Sequence, residues 1–311
     1  MELEEKQLFR DGRWNLIGNR KKKEWWYVGV SDESQGIYFG FDFLRVNLVD
    51  SFHFVLFNPK TGKLDECAWK GYLDAEILPG QAFLRHVGKG VHLEYRGDER
   101  NGWTYTMRYQ GISIDLNIEA TTPPFTKYDN MFVDEYALLH FFHNRVSGNV
   151  QTPHGNYVLN NALGYYDHCF GAIPRKSRWH WIAVQNEHFA LASLMNYGPT
   201  PQCYTQGYFV SQAPESACRR WIRFDQDVSF ECDPLHTTCA PWRVTSPDMD
   251  LTLDILQRSK VKTRIPPLVP FLIKIDHGEH FVRLHGRVRV DGMWIETGDL
   301  FGVLEEHHGV W

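Results

Sequence analysis

The sequence has 311 residues, the length of about two typical domains and enough to bury a substantial core. Lys and Arg number 33 against 38 Asp and Glu, so the formal net charge is −5 and the basic excess of a nucleic-acid-binding protein is absent. Aromatic residues make up 14% of the chain, with 20 Phe, 14 Tyr and 11 Trp. This content indicates that the protein uses many rigid apolar side chains in its core or in a binding site.

The start of the sequence, residues 1–14, is acidic and polar where a secretory signal needs a basic segment followed by an apolar one. No window approaches the ~18 uninterrupted apolar residues of a membrane-spanning helix. We therefore predict a cytoplasmic location. The six cysteines form no C-x-x-C pair and are expected to be free thiols.

Alternation of apolar and polar residues predicts β-strands in the first half of the chain. It is seen over residues 37–44, over residues 52–57 before the turn Asn58-Pro-Lys-Thr-Gly62, and most clearly over residues 112–120. Residues 131–143 are ambiguous between helix and strand.

The second half continues the strand pattern at Leu251, Leu253 and Ile255, and Asp291-Gly292 predicts a two-residue hairpin turn. The proline-rich residues 265–270 are expected to be a loop or an edge strand. The sequence contains no repeat of about 20 to 50 residues, which disfavours a propeller or solenoid. We predict an all-β protein with two consecutive antiparallel barrel or sandwich domains, residues 1–175 and 176–311.

Two aromatic clusters are candidates for a functional site. Glu24-Trp25-Trp26-Tyr27 follows the basic run Arg20-Lys21-Lys22-Lys23, which we expect to be a solvated edge. Gly164-Tyr165-Tyr166-Asp167-His168 is followed closely by Trp179-His180-Trp181. Aromatic triplets also serve as ordinary core packing, so the first cluster is open to both interpretations.

An aspartate among aromatic rings loses hydration, which raises the pKa of its carboxyl group and allows it to act as a general acid near neutral pH. Asp167 is the candidate proton donor, and aromatic faces nearby would stabilise a developing carbocation. This arrangement favours protonation of an alkene. The structural alternative is that Asp167 caps a turn or pairs with His168 or Arg178.

At these two clusters the sequence resembles the carotenoid 1,2-hydratase (hydroxyneurosporene synthase) group and the AttH-like lipocalin superfamily around it. The resemblance rests on the residue 24–27 cluster, on the Tyr-x-Asp of Tyr165 and Asp167, and on Trp179-His-Trp181. It implies two successive lipocalin-like β-domains that hold a hydrophobic ligand. It also implies that Asp167 protonates a terminal double bond so that water adds to the tertiary cation.

The superfamily also includes Diels-Alderase-type cyclases of polyenes, so cyclisation without a cofactor is an alternative activity. The hydratases use a tryptophan upstream of the Tyr-x-Asp motif, whereas this chain has no Trp between Trp103 and Trp179. A non-catalytic lipocalin-like carrier of a hydrophobic ligand is the third alternative.

Histidine-rich segments require a metal site to be considered. His140 and His143 form an H-x-x-H, which a strand would place on opposite faces. Residues 276–280 and 305–308 contain further ligand types without the spacing of a known zinc motif. We expect structural or surface roles for these residues and no metal, with a metal-dependent hydrolase built from distant strands as the alternative.

We predict a cofactor-independent lyase that hydrates or isomerises a C=C bond of a hydrophobic polyene or terpenoid. Asp167 and Tyr165 are the expected catalytic residues. His168 is a secondary candidate, because on a strand its side chain points away from Asp167. The expected substrate-binding residues are Trp25, Trp26, Tyr27, Tyr166, Trp179 and Trp181. A small hydrophobic substrate is the expected partner, with no nucleic acid; any membrane contact would be peripheral, and no oligomeric state is predicted.

Overall fold

The computed structural model describes residues 22–46, 49–72, 76–78, 83–88, 90–98, 101–122, 125–132, 134–172, 176–197, 202–210, 219–224, 228–231, 242–264 and 274–310. All regular structure in these ranges is β-strand, which confirms the predicted class. Within the same ranges, no helix has the length and apolar character needed to cross a membrane. The chain divides into two compact units, Met1–Pro174 (unit 1) and Arg175–Trp311 (unit 2).

Unit 1 contains one antiparallel sheet of 12 strands. The strands are β1 (Lys22–Asp32), β2 (Ile37–Val46), β3 (Val49–Asn58), β4 (Lys63–Tyr72), β5 (Glu76–Leu78), β6 (Phe83–Gly88), β7 (Val91–Asp98), β8 (Gly102–Tyr109), β9 (Ile112–Glu119), β10 (Phe125–Phe132), β11 (Asp134–Thr152) and β12 (Gly155–Ala172). Their order is β4-β3-β2-β1-β12-β11-β9-β8-β7-β6-β5, and β10 pairs with β11 outside this path.

Unit 2 contains one antiparallel sheet of ten strands. The strands are β13 (Lys176–Gln185), β14 (Phe189–Asn196), β15 (Gln202–Val210), β16 (Arg219–Arg223), β17 (Ser229–Glu231), β18 (Trp242–Ser246), β19 (Met249–Arg264), β20 (Lys274–Val290), β21 (Met293–Glu296) and β22 (Leu300–Val310). Their order is β16-β15-β14-β13-β22-β20-β19-β18-β17, and β21 pairs with β20 outside this path.

The sheet of unit 1 curls around a single aromatic-rich core. Successive side chains of a strand point to opposite faces, and one face of β1 to β4, β6 to β9, β11 and β12 supplies the core. Trp69 of β4 and His86 of β6 belong to distant strands in the sheet order, yet their ring centroids are 4.3 Å apart. We call this core-forming side the inner face of unit 1 and the opposite side its outer face.

The sheet of unit 2 encloses its own core of aliphatic side chains, which includes Ile182, Val184, Leu251, Leu284 and Leu304. Ile182 and Val184 alternate with Trp181 and Ala183 along β13. The two tryptophans of β13 therefore lie on the face opposite to the core of unit 2, which we call the outer face of unit 2.

The clearest strand predictions are confirmed. The alternation over residues 112–120 corresponds to β9, whose burial alternates along its length, and residues 37–44 and 52–57 lie within β2 and β3. Within the ambiguous segment, residues 131–132 and 134–143 belong to strands and not to a helix. Asp291 and Gly292 join β20 to β21 with φ values of 52° and 79°, as a two-residue hairpin turn requires. The proline-rich residues 265–270 lie outside the described residues.

The expectation of a solvated basic edge is wrong at Lys23. This residue is only 1% exposed, because it alternates in phase with Trp25 and Tyr27 on the outer face of β1. Burial lowers the pKa of its ammonium group to about 7.

Candidate functional site

Tyr165 and Asp167 lie side by side on the outer face of β12. They are two residues apart on one strand, so they point in the same direction, and each is 3% exposed. Antiparallel pairing places Tyr27 of β1 directly opposite Asp167 on one side and His140 of β11 opposite it on the other. Three neighbouring strands thus bring four polar side chains together.

A chain of hydrogen bonds links three of these residues. The Tyr165 hydroxyl donates to Asp167 Oδ2 at 2.7 Å, and His140 Nδ1 lies 2.7 Å from the same hydroxyl. Since the single hydroxyl proton is directed to the carboxyl group, the hydroxyl oxygen accepts from His140 Nδ1–H, which assigns the histidine tautomer. The result is a buried His140–Tyr165–Asp167 relay.

The other carboxyl oxygen of Asp167, Oδ1, has different surroundings. Oδ1 is buried and forms no hydrogen bond with the described part of the chain. A buried oxygen without a partner is costly, and protonation reduces the cost by removing the charge. A proton on Oδ1 leaves Oδ2 free to accept the hydrogen bond from Tyr165.

Burial raises the pKa of Asp167 from 3.8 to about 7. The hydrogen bond from Tyr165 and the positive potential of His168 act in the opposite direction, and the charge of Asp42 adds to the upward shift. Desolvation dominates because it penalises the ionised form of a fully buried carboxyl group. Near neutral pH a large fraction of Asp167 is therefore protonated, as a general acid requires.

Aromatic rings surround the relay. The Phe142 ring lies 4.7 Å from the Tyr165 ring, and the Tyr27 ring lies 6.1 Å from it, both measured between centroids. The Tyr27 side chain leans over Gly29, where an added Cβ would be 3.2 Å from Tyr27 Cε1. The missing side chain at Gly29 gives the ring its place beside Tyr165.

A β-bulge in β11 shapes this side of the site. The register with β12 shifts between Phe141 and Asn144, so that Phe142 and His143 together oppose Tyr165. His143 has a φ of 56°, and the carbonyls of Phe142 and His143 accept bonds from the Thr122 and Thr121 hydroxyls at 2.7 and 2.5 Å. Bulges are common beside active sites because they redirect side chains. The bulge also breaks the alternation that was expected to separate His140 from His143.

His168, Trp26 and Tyr166 lie on the inner face, away from the relay. The imidazole of His168 stacks on Trp26 with centroids 4.9 Å apart, and its Nε2 is 2.7 Å from Glu24 Oε1. Tyr166 is fully buried in the core, 4.4 Å from the Trp103 ring. The structure therefore places these three residues in the packing of unit 1, while Trp25 and Tyr27 share the outer face with Asp167.

Trp179 and Trp181 lie on the outer face of unit 2. The Trp179 ring stacks on His307 at 3.6 Å between centroids, and its Nε1 donates to Glu305 Oε2 at 3.4 Å. Both tryptophans are buried, at 7% and 5% exposure. Their predicted role in substrate binding stays a prediction.

The two histidine-rich segments of unit 2 are neighbours in space. Pairing of β20 with β22 sets His277 opposite His307 and Glu279 opposite Glu305. On the other face, His280 Nε2 lies 3.0 Å from Glu306 Oε2, and His180 Nε2 lies 3.9 Å from Glu306 Oε1. His180 also bonds the Tyr197 hydroxyl at 2.7 Å.

Phe142 and Asp42 are residues near Asp167 that the sequence analysis did not select, and His140 was considered there only as a possible metal ligand. His140 and Phe142 are two residues apart, so a strand assignment alone would have placed them on one face. Their register against Tyr165 depends on pairing between β11 and β12 and on the bulge, neither of which local sequence shows.

Comparison with known proteins shows similarity at the level of structure. No protein-family profile matches the chain, and no curated protein sequence matches it. A crystal structure of an AttH-type protein from Nitrosomonas europaea is similar with a TM-score of 0.64 and 14% identity, covering 92% of each chain. Kievitone hydratase from Nectria haematococca is similar with a TM-score of 0.68 and 12% identity, covering 96% of this chain and 92% of that one. The chain therefore has the AttH-like, lipocalin-type fold that the sequence resemblance implies.

Proposed function

We propose that the protein is a hydration-type lyase that adds water to a C=C bond of an apolar polyene or terpenoid. The observation that carries the proposal is Asp167, a buried carboxyl group with one oxygen bonded to Tyr165 and the other without a hydrogen bond to any residue that the structure describes. The neighbour named kievitone hydratase supports hydration as the reaction class. The same acid would also serve isomerisation of the double bond.

The reaction begins with transfer of the Asp167 proton to one alkene carbon. The π bond breaks, a C–H bond forms, and a tertiary cation remains on the other carbon. Aromatic faces such as those of Tyr27 and Phe142 stabilise a cation by about 0.5–2 kcal/mol for each well-placed ring. Water then adds to the cation and loses a proton. The overall reaction needs no oxidant or reductant, because the alkene and water combine to an alcohol without net electron transfer.

The relay holds Asp167 in place throughout the reaction. Once Asp167 has lost its proton, the carboxylate is stabilised by the hydrogen bond from Tyr165. His140 holds the Tyr165 hydroxyl from behind and keeps its proton directed at Asp167. These two residues thus position the acid in both of its protonation states.

The test compares the protein with its Asp167→Asn variant, using kievitone and a set of linear terpene alkenes as probes. The amide keeps the shape of the carboxyl group but cannot donate a proton at neutral pH, so we expect a loss of hydration of about 10²–10⁴-fold. Product carrying one added water is measured by mass spectrometry, and probe binding by fluorescence quenching of tryptophan.

Asp115→Asn is the matched control, because Asp115 is an exposed aspartate of β9 bonded to Arg108. We expect it to hydrate the probes at the wild-type rate. Unchanged binding with lost turnover in Asp167→Asn supports the proposal. Equal turnover in Asp167→Asn and wild type contradicts it, and probe binding without any turnover in wild type would instead indicate a carrier.

A further inference from the structure

Five polar side chains form a straight row across the outer face of unit 1. The register places each directly opposite the next on neighbouring strands: His140 (β11), Asp167 (β12), Tyr27 (β1), Asp42 (β2) and His53 (β3). Directly opposed residues of antiparallel strands point to the same side. The flanking residues Phe41, Phe43, Phe52 and Phe54 belong to the inner core, which confirms that Asp42 and His53 face outward.

Asp42 lies two strands from Asp167, with Tyr27 between them. Neighbouring strands are about 4.8 Å apart, so the two aspartates are separated by roughly 10 Å at the backbone. In inverting glycosidases an acid and a base about 6.5–9.5 Å apart leave room for a reacting carbon and one water. The row places the two aspartates at a comparable backbone separation, with Tyr27 on the strand between them.

The surroundings of Asp42 suit a carboxylate that receives a proton. Its Oδ1 accepts the backbone N–H of His53 at 3.1 Å, which fixes its orientation. It is half-buried, whereas Asp167 is almost fully buried, so its charged form keeps some contact with water. The His53 imidazole beside it is held by Glu66 Oε1 at 2.8 Å from Nε2.

The two aspartates also influence each other. The negative charge of Asp42 makes the smallest contribution to the raised pKa of Asp167, after burial, the Tyr165 hydrogen bond and His168, as expected for a group on the far side of Tyr27. One ionised and one protonated carboxyl group is the arrangement that an acid and a base need at the start of a hydration.

We infer that Asp42 is the base that takes the proton from the attacking water. The inference rests on the proposed hydration. As the water oxygen forms the new C–O bond to the cation, one of its O–H bonds breaks and the proton passes to the Asp42 carboxylate. Asp42 then releases that proton to solvent, and Asp167 is reprotonated, so alkene and water yield alcohol with no net change in the protein.

Deuterium incorporation separates the two proton transfers. In D2O, Asp167 delivers a deuteron to the alkene, and a cation that does not capture water returns to alkene with deuterium in it. With kievitone and linear terpene alkenes as probes, we expect Asp42→Asn to lose hydration about 10²-fold or more while deuterium still enters the recovered probe. Asp167→Asn should lose both.

Asp42→Glu and Asp42→Ala distinguish a base from a structural residue. We expect partial activity in Asp42→Glu, and rescue of Asp42→Ala by added formate, which can occupy the vacated space and accept the proton. Asp115→Asn is the control for loss of an aspartate charge, and melting temperature checks the fold of each variant.

The outcomes are distinguishable. Wild-type hydration by Asp42→Asn, or an Asp42→Ala variant that is folded, inactive and insensitive to formate, overturns the role of Asp42 alone. Hydration by Asp167→Asn, or a wild-type protein that neither hydrates nor deuterates any probe, overturns the proposed function itself. Deuteration without hydration in Asp42→Asn supports both.

Discussion

Unit 1 and unit 2 are built on the same order of strands but differ in the chemistry that they carry. In each unit the first strand pairs with the last, and the next three strands of the chain follow on the outer side of the first. The strand outside the main path, β10 or β21, pairs with the strand that neighbours the last one, β11 or β20. The order β4-β3-β2-β1-β12-β11-β9-β8-β7 of unit 1 thus corresponds to the complete order of unit 2, and unit 1 adds β6 and β5.

The sixth residues of β1 and β13 allow the two units to be compared around the proposed acid. In unit 1 this residue is Tyr27, with Asp167 opposite it on β12 and His140 opposite Asp167 on β11. In unit 2 it is Trp181, with Glu305 opposite it on β22 and Glu279 opposite Glu305 on β20. A carboxyl group occupies the middle position of both. In unit 1 this carboxyl group is almost fully buried and bonded to a tyrosine hydroxyl that a histidine supports, whereas Glu305 of unit 2 is half-buried and accepts a bond from Trp179 Nε1. The strand scaffold supplies the position, and under the proposed function the neighbouring side chains are what make Asp167 a proton donor.

The largest expected difference between the units is in turnover. Asp167→Asn should reduce hydration by about 10²–10⁴-fold, because it removes the proton donor. Glu305→Gln, at the comparable position of unit 2, should cost less than about tenfold, since Glu305 is only half-buried and its carboxyl group is less desolvated than that of Asp167. Steady-state rates of both variants make the comparison, and equal losses would show that both units supply an acid.

A second difference concerns stability at high pH. The pKa of Asp167 is raised in the folded state, so the folded protein binds the proton more tightly than the unfolded chain between about pH 4 and pH 7. Stability conferred by this proton is present at low pH and is lost as the pH rises through about 7. Asp167→Asn should therefore raise the free energy of unfolding at pH 8 by on the order of 1–3 kcal/mol, with a smaller gain at pH 5. Urea denaturation at the two pH values measures the free energy of unfolding. A variant that is less stable than the wild type at pH 8 would contradict a raised pKa of Asp167 in the folded protein.

The pH profile of turnover should respond to the neighbours of the acid. Activity needs protonated Asp167, so it should fall as the pH rises through about 7. The Tyr165 hydrogen bond lowers that pKa, so Tyr165→Phe should move the falling limb to higher pH and reduce the rate by about tenfold. Asp42 raises the pKa, so Asp42→Asn should move the limb of any residual activity to lower pH. Shifts in the same direction in both variants would contradict the assigned interactions.

Unit 2 should show the opposite pH dependence of stability, with a smaller amplitude. Burial lowers the pKa of His180 from 6.5 to about 4; Glu306 opposes this shift, and Arg178 and His280 add to it. Stability is then complete above about pH 6.5 and is lost as the pH falls toward 4. His180→Gln should reduce the loss between pH 7 and pH 4.5 by about 1 kcal/mol. An unchanged loss in the variant would indicate that His180 is protonated in the folded protein.

The sequence predicts the strands and the acid because both depend on local pattern. Alternation identifies β2 and β9, and the spacing of two residues puts Tyr165 and Asp167 on one face of a strand. The separation of His168 from them follows from the same rule.

The rest of the site depends on pairing between distant strands. His140 and Asp42 reach Asp167 through the register of four strands, and Phe142 reaches Tyr165 through a bulge. Register is set by the hydrophobic pattern of the whole sheet and by turns, so local residues do not reveal it. The strand order that the two units share could not be predicted from the sequence either, because it depends on strand pairing, and the side chains at comparable positions of the two units differ in type.

The most direct test of the account is the pKa of Asp167 in the folded protein. Aspartate carboxyl carbons labelled with ¹³C can be titrated by NMR, and the Asp167 signal is assigned as the one missing in Asp167→Asn. We predict a midpoint near pH 7, which falls in Asp42→Asn and rises in Tyr165→Phe. A midpoint near 4 would mean that Asp167 is ionised at neutral pH and would contradict its role as proton donor.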